Sequence, residues 1–592
     1  MAIIGAQKDK HLKLSEDLRW IYLDLLSIIV GISGGLGAVA FRRLVELAHE
    51  FFFGFLLPHA PADYFILLLP VLGGLIVGPM IHKLAPEAMG DGIPHIMTAL
   101  QRFSGDIRKR AGLVLIFSSA ITLGSGGSAG REGPIALIGA ATGSGIGKAI
   151  KLSARDVKVL TCSGVAAGIA ATFNAPMGGA IFSMEVISKK FTSLDAVPVL
   201  LAAVVGKAVA SSLIDPVPEF VNPTFYFTSF DMVLCFLLGP LFGFLSFLWV
   251  RSYYLFEDGF LRLAVPEILK PAIGGIAAGV CGLFFLEYGI MGVGYEGINS
   301  VFALASAGPS GQLLLLLLAL GLLKVLATAS TVGSGGSGGV FAPTLYIGTM
   351  FGLAAGLIAE MAAPNLIANP LDYGLLGMGA FFAGTAGAPL TCIFMITEMT
   401  GNYSGLPSLI VCCILSYTAA RILLKGGSIY TIKLMRKGIL PDSPQPVLSE
   451  VSVAEAMQKE VVTVSPDTRI GEVRDEIYRC NYTGFPVVEG GELVGMITFD
   501  DIRRISLEEQ EAMKVKDVAV RAPITVYPHQ SAKVAMDVMH ENDIGRLAVV
   551  EKGNARKLIG IVTRSDVIRA YEREMKRSRD DASGGGRAVD EK

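Results

Sequence analysis

Charged residues are scarce in this chain, and neither sign of charge dominates. Asp, Glu, Lys and Arg make up 17% of the 592 residues, and the formal net charge is -2 at pH 7. Nucleic-acid-binding proteins attract phosphates through a broad basic surface, which this composition does not provide. Nucleic acid is therefore not an expected partner.

Cysteines occur without the spacing of a metal site or a redox motif. None of the seven forms a CxxC pair or combines with histidine at ligand spacing, so no metal site is predicted. The segment Met1–Arg19 has no apolar core followed by a small-residue cleavage site, so we do not expect a cleaved signal peptide. Six cysteines lie in apolar stretches and are interpreted as reduced packing residues: Cys162, Cys235, Cys281, Cys392, Cys412 and Cys413.

Hydrophobic residues are abundant, at 52% of the chain, and the mean hydropathy is +0.56. Apolar stretches run from about Trp20 to Lys425, and the chain becomes charged after Gly438–Pro446. The pattern predicts a multi-pass membrane domain over residues 1–440, in contact with lipid. Many apolar stretches are broken by Gly or Pro before they reach the roughly 20 residues of a full span, so broken helices are expected.

Two pairs of motifs recur within the membrane region. Gly124–Pro134 (GSGGSAGREGP) returns 209 residues later as Gly333–Pro343 (GSGGSGGVFAP). A second recurrence has an offset of 213 residues and relates Asn174–Pro176 with Glu185 to Gly387–Pro389 with Glu398. We therefore predict an all-α membrane fold of two repeated halves, which we expect to be inverted, with a transport site where they meet near the middle of the bilayer.

Five short motifs place a small residue before a proline and an apolar run after it. Proline suits the first position of a helix, so these motifs predict helices that begin inside the membrane. A helix N-terminus attracts anions through free N–H groups, whereas a full basic charge costs about 2.5–3.5 kcal/mol at mid-membrane. The pattern favours rapid anion passage. The motifs are Gly92-Ile93-Pro94, Gly133-Pro134, Ala175-Pro176, Ala342-Pro343 and Ala388-Pro389.

Two glycine-rich motifs also partly match nucleotide-binding patterns, but neither is interpreted as a nucleotide site. Gly333-x-Gly335-x-x-Gly338 matches a dinucleotide fingerprint, but it follows the leucine-rich run Leu313–Leu326 instead of a strand. Gly143–Lys148 is one residue short of a phosphate-binding loop. Close packing of helices remains the alternative explanation for many of the glycines.

Glu132 stands two residues before Pro134, where a helix N-terminus would hold an anion. Its carboxylate would act as a tethered anion that blocks the path until an ion displaces it or a proton neutralises it. The alternative is a helix-capping acid beside Arg131. Ionisable residues inside a membrane are usually functional, which favours the gating role.

Three stretches in this order resemble the signature motifs of the ClC chloride channel and transporter family: Gly90–Pro94, Gly130–Pro134 and Gly339–Pro343, followed by Ser428-Ile429-Tyr430. The resemblance implies that Glu132 is the gate, that Val340 and Phe341 give backbone amides to a central anion, and that Tyr430 gives a hydroxyl. It also implies a homodimer with one pore per subunit, carrying chloride or a similar small inorganic anion. The other residues that the motifs assign to anion binding are Asp91, Gly92, Ile93, Arg131 and Gly133. The alternatives are an interfacial tyrosine at Tyr430 and a packing aromatic at Phe341.

The chain departs from the family pattern at two places near the first motif. Asp91 replaces the usual serine, and His95 replaces the usual glutamate. An ionised Asp91 in the path would repel anions, so it must cap a helix, be protonated or belong to a proton route. Capping is the favoured reading because Asp is a preferred N-cap residue. The anion preference stays open.

A third departure is Val186, next to Glu185. Exchangers of the family usually carry a proton-transferring glutamate at the position of Val186, and valine carries no proton. The sequence therefore favours a passive, voltage-gated-type chloride channel, with proton-coupled chloride exchange as the alternative. A divalent-cation transporter with CBS repeats is less expected because the membrane region offers few acids and no paired spacing. No nucleophile–base pair suggests an enzyme.

The tail contains a second duplication, in which Gly495–Asp501 matches Gly560–Asp566 at an offset of 65 residues. Each copy is predicted to be α/β, with a short strand, a polar helix (about Ile470–Arg479 and Ala532–Glu541), two apolar strands and a final helix. The duplication resembles a tandem CBS module, with domains predicted at residues 441–508 and 509–575 and a disordered end at residues 576–592. The resemblance implies that Thr498, Asp501, Thr563 and Asp566 hold the ribose of ATP, ADP or AMP. The alternative is that these residues only cap helices in a structural scaffold. No cofactor is required by this reading.

The orientation in the membrane follows from the tail and from basic loops. A CBS module is expected on the cytoplasmic side, and basic residues in short connections favour the same side. The predicted location is the plasma or inner membrane. The basic residues are Lys148, Lys151, Arg155, Lys158, Lys189 and Lys190.

Overall fold

A computed structural model gives the fold of two separate units, residues 1–441 and 442–592. The predicted domain limit near residue 440 and the predicted disordered end at 576–592 fall outside the residues that the structure describes. The described residues are 16–86, 89–102, 105, 107, 109–189, 193–214, 228–306, 308–364, 366–367, 369–436, 451–480, 482–521, 523–542 and 544–573.

Helices alone build the described part of the first unit, as the sequence predicts. Two π-helical stretches, Glu50–Leu56 and Ser183–Ser188, extend α1 and α7. The helices are α1 Glu16–His49, α2 Leu69–Leu84, α3 Gly92–Arg102, α4 Lys109–Gly124, α5 Glu132–Ala149, α6 Ala154–Phe173, α7 Pro176–Phe182, α8 Ser193–Leu213, α9 Ser229–Arg262, α10 Lys270–Phe285, α11 Tyr295–Ala305, α12 Gly311–Gly333, α13 Phe341–Ala362, α14 Asp372–Ala386, α15 Pro389–Thr400, α16 Leu406–Leu423 and α17 Thr431–Arg436. Short 3-10 turns lie at Leu57–His59, Asp63–Leu68, Glu267–Leu269 and Leu286–Tyr288.

Nine helical segments within the described ranges are long and apolar enough to cross a membrane. Other helices are too short for this. With 11 residues, α3 spans about 16 Å, against a hydrocarbon core of about 30 Å. The predicted mixture of full and broken helices is confirmed.

The predicted helix starts are also confirmed, but the position of the proline differs between them. Pro176 and Pro389 are the first residues of α7 and α15. Pro94, Pro134 and Pro343 occupy instead the third position of their helices, since α3, α5 and α13 begin two residues earlier. The third position is equally compatible with proline because the first four N–H groups of a helix have no partner within it.

Within each half, glycines let two neighbouring helices touch backbone to backbone. A Cβ atom at Gly139 in α5 would collide with the carbonyl of Gly164 in α6, and the reverse collision also holds. Gly348 in α13 and Gly377 in α14 show the same mutual contact. The two pairs are related by the repeat offsets, so the duplication extends to helix packing. Close packing therefore explains these glycines, as the alternative reading proposed.

The second unit contains two copies of a small α/β fold, each with a three-stranded sheet. In one sheet the order is β1-β2-β3 and all pairs are antiparallel; in the other, β4 runs parallel to β5 and β6 antiparallel to it. The strands are β1 Gly484–Glu489, β2 Glu492–Thr498, β3 Val520–Arg521, β4 Thr525–Val526, β5 Arg546–Glu551 and β6 Asn554–Thr563. The helices are α18 Val453–Ala456, α19 Ile470–Cys480, α20 Phe499–Ile502, α21 Leu507–Ala512, α22 Val515–Val518 and α23 Ala532–Glu541, and residues 564–573 are also helical.

The predicted polar helices and apolar strand pairs of both copies are confirmed. One expected strand is absent from the first copy in the described residues: Val464 forms only an isolated bridge with Val487. The copies pack through an apolar cluster in which side chains of β2 meet those of β5 and β6. The cluster contains Leu493, Met496, Ala548, Val550 and Ile561.

Candidate anion pathway

Three helix N-termini are brought together by hydrogen bonds between the loops that precede them. Gly130, before α5, and Gly339, before α13, exchange two backbone hydrogen bonds of 2.6 and 2.7 Å. The N–H of Gly338 donates to the carbonyl oxygen of Gly90, before α3, at 3.4 Å. Gly92 and Gly133 also lie close, since a Cβ at Gly92 would be 2.8 Å from the carbonyl oxygen of Gly133. The ends of α3, α5 and α13 therefore converge.

Contacts across this junction are reciprocal between the two halves. Ser119 and Ser337 share a side-chain hydrogen bond of 2.8 Å, and Ser128 and Thr328 share one of 2.9 Å. The offset of 209 residues relates Ser119 to Thr328 and Ser128 to Ser337. A pair of contacts that exchanges partners in this way is what a local two-fold relation produces. The predicted meeting of the repeated halves is thus present.

Glu132 is fully buried at the first position of α5, inside this junction. Its Oε1 accepts a hydrogen bond of 2.7 Å from the hydroxyl of Tyr295. Its Oε2 has no hydrogen-bond partner among the described residues and points toward the start of α13. A Cβ at Gly130 would collide with this oxygen and would lie 3.2 Å from the backbone nitrogen of Ala342. The carboxylate thus lies where the N-terminus of α13 would attract an anion.

Asp91 lies at the start of α3 and reaches two helix ends at once. Its Oδ1 accepts from the N–H of Ile93 at 2.9 Å, which is the N-cap geometry that the sequence favours. Its Oδ2 accepts from the N–H of Val340 at 3.3 Å. A Cβ at Gly133 would lie 2.6 Å from Oδ1, so the carboxylate also touches α5. Asp91 is only 8% exposed.

Aromatic side chains surround the same junction. Phe341, the first residue of α13, packs against Phe173, Phe182 and Phe382 at ring distances of 4.8, 5.8 and 4.1 Å. The Tyr430 hydroxyl is buried and has no hydrogen-bond partner among the described residues. Its loop is fixed on either side, because Tyr254 donates to the carbonyl of Ile429 at 2.6 Å and Ile429 donates to that of Thr385 at 3.0 Å.

Two residues of the site carry no signal in the motifs. Tyr295, the donor to Glu132, begins α11, and the guanidinium of Arg131 lies 5.3 Å from the centre of its ring. The loop before α11 is held by Lys324, which is fully buried in α12. Its Nζ donates to three carbonyl oxygens, those of Gly289, Ile290 and Gly292, at 2.9–3.1 Å. A lysine inside a leucine-rich membrane run is itself a sign of function, which could have drawn attention to Lys324.

Glu185 and Val186 lie in the π-helical stretch that extends α7. Val186 is buried among apolar residues. Glu185 accepts hydrogen bonds of 3.2 and 2.7 Å from the N–H groups of Leu390 and Thr391 at the start of α15. Its repeat mate Glu398 does the same for Met177 and Gly178 at the start of α7, at 3.1 and 2.8 Å. The two acids are reciprocal caps, a role that the motif comparison did not identify.

A cluster of charges lies where α17 meets α9. Lys433 forms an ion pair of 3.1 Å with Glu257, and Arg436 forms one of 2.6 Å with Asp258. The Lys433 ammonium also lies beside Gly90, 3.2 Å from where its Cβ would be. The cluster therefore lies next to the junction, on α17. In the sequence, α17 is the last described helix before the second unit.

The four residues assigned to nucleotide binding form two helix caps. Thr498 donates to Asp501 Oδ2 through its N–H at 2.9 Å and its hydroxyl at 2.6 Å, and Thr563 makes the same pair of bonds to Asp566. Asp566 is only 3% exposed, and its Oδ1 accepts from Gln458 at 2.9 Å and from Arg569. Burial acts to raise the pKa of Asp566, but the donors from Thr563 and Gln458 lower it overall. The capping alternative is thus observed in both copies.

Comparison with known proteins gives matches along most of the chain. Residues 73–421 match the family model described as voltage gated chloride channel, and residues 453–508 and 515–573 match the CBS domain. The H(+)/Cl(-) exchange transporter ClcA of Vibrio cholerae is 32% identical over 73% of this chain and 95% of its own length. The chloride channel protein CLC-f of Arabidopsis thaliana is 27% identical over 95% of this chain and 82% of its own length.

Solved structures agree with these matches. A slow cyanobacterial Cl-/H+ antiporter is 25% identical and covers 70% of this chain and 97% of its own, with a TM-score of 0.62. A eukaryotic CLC transporter, 21% identical, shows the same fold over 93% of this chain and 99% of its own, with a TM-score of 0.64. The preference for a passive channel has no support among relatives named as exchangers, whereas the exchanger alternative does, and the divalent-cation alternative has none. The resemblance predicted from the sequence is confirmed: the chain belongs to the CLC family of chloride channels and transporters and carries a tandem CBS module.

Proposed function

We propose that the protein exchanges chloride for protons and that Glu132 is the moving gate of this exchange. The main support for this proposal is the position of the Glu132 carboxylate, which is buried next to the start of α13. Its Oε2 has no hydrogen-bond partner among the described residues. A carboxylate in this position acts as a tethered anion that competes with chloride for the helix end. Protonation removes its charge, so chloride takes its place while the neutral side chain carries the proton.

The other motif residues are assigned roles around this gate. The amides of Val340 and Phe341 and the Tyr430 hydroxyl solvate the anion further along the path, and Gly92, Ile93 and Gly133 let the helix ends approach it. Arg131 supports the gate from outside the path through its contact with Tyr295. Helix ends without full basic charges bind an anion weakly enough for it to leave.

The test is a flux assay in proteoliposomes with chloride and proton electrodes recording together. In the wild type, an outward chloride gradient should drive protons uphill in fixed proportion. Glu132→Gln should abolish proton movement, because an amide carries no proton, and should leave chloride flux. Glu46→Gln, at an exposed ion pair of α1, is the control and should behave as wild type. Chloride flux without any uphill proton movement in the wild type would instead indicate the passive channel.

We also propose that two copies associate, with one anion pathway in each, and that the CBS side is cytoplasmic. The second assignment is supported by the ion pair of 3.5 Å between Arg155 and Asp195, which brings the basic connections after α5 and after α7 to one side. Cysteine labelling at Lys151, exposed in the first of these connections, tests the side. Reaction only after membrane permeabilisation is expected, and crosslinking in membranes reports the dimer.

A further proposal is that the CBS module binds an adenine nucleotide mainly at its first signature. Asp501 is half-buried, and its Oδ1 accepts no hydrogen bond from the described residues, whereas both oxygens of Asp566 are engaged. Asp501 therefore has an oxygen available for ribose hydroxyls. Calorimetry with ATP, ADP and AMP should show affinity that Asp501→Asn weakens more than Asp566→Asn. No binding at millimolar nucleotide would leave Thr498, Thr563 and both acids as caps alone.

A further inference from the structure

The proposed gate does not by itself explain which residue exchanges the proton with Glu132. An exchanger must pass its proton onward from Glu132, and the valine at position 186 offers no titratable group for this step. Asp91, in contrast, is a carboxylate within the junction itself, 8% exposed. Its Oδ2 accepts from the N–H of Val340, the amide assigned to the central anion, at 3.3 Å. An ionised Asp91 therefore occupies a hydrogen-bond donor that the anion needs.

The two oxygens of Asp91 have separable tasks. Oδ1 caps α3 through the N–H of Ile93 at 2.9 Å, which serves helix structure alone. Capping needs only an acceptor, and Ser or Asn would serve as well as Asp. The contact of Oδ2 with the N–H of Val340 joins a different helix and adds nothing to the cap. A carboxylate with one oxygen in a cap and the other on the anion's amide has a position from which it competes with the anion.

The surroundings of Asp91 connect it to both sides of the junction. The titratable side chains near it are Tyr253 and Tyr254 from α9, Tyr430 from the loop before α17, and Lys433 from α17, and His95 follows one turn later in α3. The first residues of α13 contribute only backbone groups. The unpartnered Tyr430 hydroxyl lies within electrostatic reach of both Asp91 and Glu132. Lys433 in turn pairs with Glu257 at 3.1 Å.

We propose that Asp91 is a second displaceable carboxylate in the anion path and the inner proton acceptor that Val186 does not provide. Ionised, its Oδ2 holds the Val340 amide in place of chloride. When a proton that arrives from the side of the Lys433–Glu257 ion pair binds Oδ2, the neutral acid releases that amide and chloride binds it. The proton leaves toward Glu132 past Tyr430, or returns the way it came, and the carboxylate then displaces the anion. This inference deepens the proposed exchange and rests on it.

A binding experiment separates this inference from the exchange activity. Chloride affinity is measured by calorimetry on the purified protein between pH 5 and pH 8, in a Glu132→Gln background that removes the titration of the gate. We expect affinity to rise as the pH falls, because protonation of Asp91 frees the Val340 amide. The additional change Asp91→Ser, which keeps an N-cap, should raise affinity at pH 8 and abolish the pH dependence. An unchanged pH dependence in the double variant would overturn the inference.

Transport provides the second measurement. In proteoliposomes, Asp91→Asn and Asp91→Ser should keep chloride flux and lose uphill proton movement, while the capping variant Glu398→Gln should keep both. Persistent proton coupling in the two Asp91 variants would overturn the role as proton acceptor. A wild type that moves no protons, together with pH-dependent chloride binding at Asp91, would instead refute the exchange function and leave the displaceable carboxylate in place. The two failures are therefore distinguishable.

Discussion

Tyr295 gives Glu132 a side-chain hydrogen bond that only its hydroxyl can make. A hydrogen bond to a charged acceptor contributes about 1.5–3 kcal/mol, and a difference of 1.4 kcal/mol is tenfold in an equilibrium. This bond of 2.7 Å favours the blocked position of the gate. Arg131 packs against the tyrosine ring and Lys324 holds the loop before α11, so contacts other than Glu132 also hold the donor in place.

We therefore expect Tyr295→Phe to open the gate more readily. Chloride flux at neutral pH should rise by about tenfold, since the blocked position loses a bond of about 1.5–3 kcal/mol while the ring and its packing stay. Tyr373→Phe is the matched control, because that buried hydroxyl donates to Asp231, a carboxylate of α9, at 2.5 Å. The measurement is chloride efflux from proteoliposomes. Equal flux in both variants would contradict a gating role for Tyr295.

Sequence patterns identified Glu132 and Asp91 but not their partners. Glu132 and Asp91 stand in recurring Gly–Pro motifs, whose backbone chemistry places helix ends without any tertiary information. Tyr295 lies 163 residues from Glu132 in the sequence, at the start of α11 and outside the recurring motifs, so nothing local connects the two. The second contact of Asp91, to Val340, depends equally on the fold. Chemistry at a helix start is readable from sequence, whereas a side-chain partner from another element is not.

The reciprocal caps show how the duplicated helices depend on each other. Glu185, at the end of the α7 segment, accepts from the start of α15, and Glu398, at the end of α15, accepts from the start of α7. Each carboxylate accepts hydrogen bonds from N–H groups that have no partner within the other helix. The recurrence of the two acids was visible in the sequence. The sequence did not reveal that the two acids cap each other's helices, because the offset identifies equivalent positions but not the contacts between them.

We expect Glu185→Gln and Glu398→Gln to destabilise the membrane unit to a similar extent. Each removes a charged acceptor from two N–H groups, which is worth about 1.5–3 kcal/mol. Both should lower the temperature of unfolding in detergent, with the exposed Glu46→Gln as the control. Neither should change the ratio of protons to chloride. Loss of proton coupling in Glu185→Gln alone would show that Glu185 carries protons in addition to capping α15.

The two halves differ at the helix ends that meet in the junction. The repeat offset relates Glu132, the proposed gate at the start of α5, to Phe341 at the start of α13. One helix end thus carries a displaceable charge, and its mate carries an aromatic ring packed among three others. A carboxylate at both helix ends would place two negative charges close together, where they would repel each other. In the proposed mechanism, this asymmetry leaves the end of α13 open to the carboxylate of Glu132 or to chloride.

Two units with separate cores make up the chain, and their limits were only partly visible in the sequence. The change in composition near residue 440 lies close to the division between the two units, and the repeats within the tail correspond to its two CBS matches. The short first strand expected in the first copy does not form, because Val464 has a strand-like sequence but only one bridge partner. Strand pairing depends on a neighbour that local sequence does not specify.

The separation of the cores leads to an expectation for a chain cut after Pro441. The Vibrio cholerae relative corresponds over 95% of its length to 73% of this chain, so a membrane unit of this kind needs no tail of this length. We expect residues 1–441 to insert, to remain a single species in detergent and to keep the proton-to-chloride ratio of the full chain. Any effect of ATP on flux should vanish with the tail, and the full-length Asp501→Asn variant should lose most of it. Proteoliposome flux with and without millimolar ATP measures both.

Two outcomes would contradict this expectation. An ATP effect that survives in the cut chain would place the nucleotide on the membrane unit. A cut chain that transports no chloride would show that the CBS module is required for the path to form.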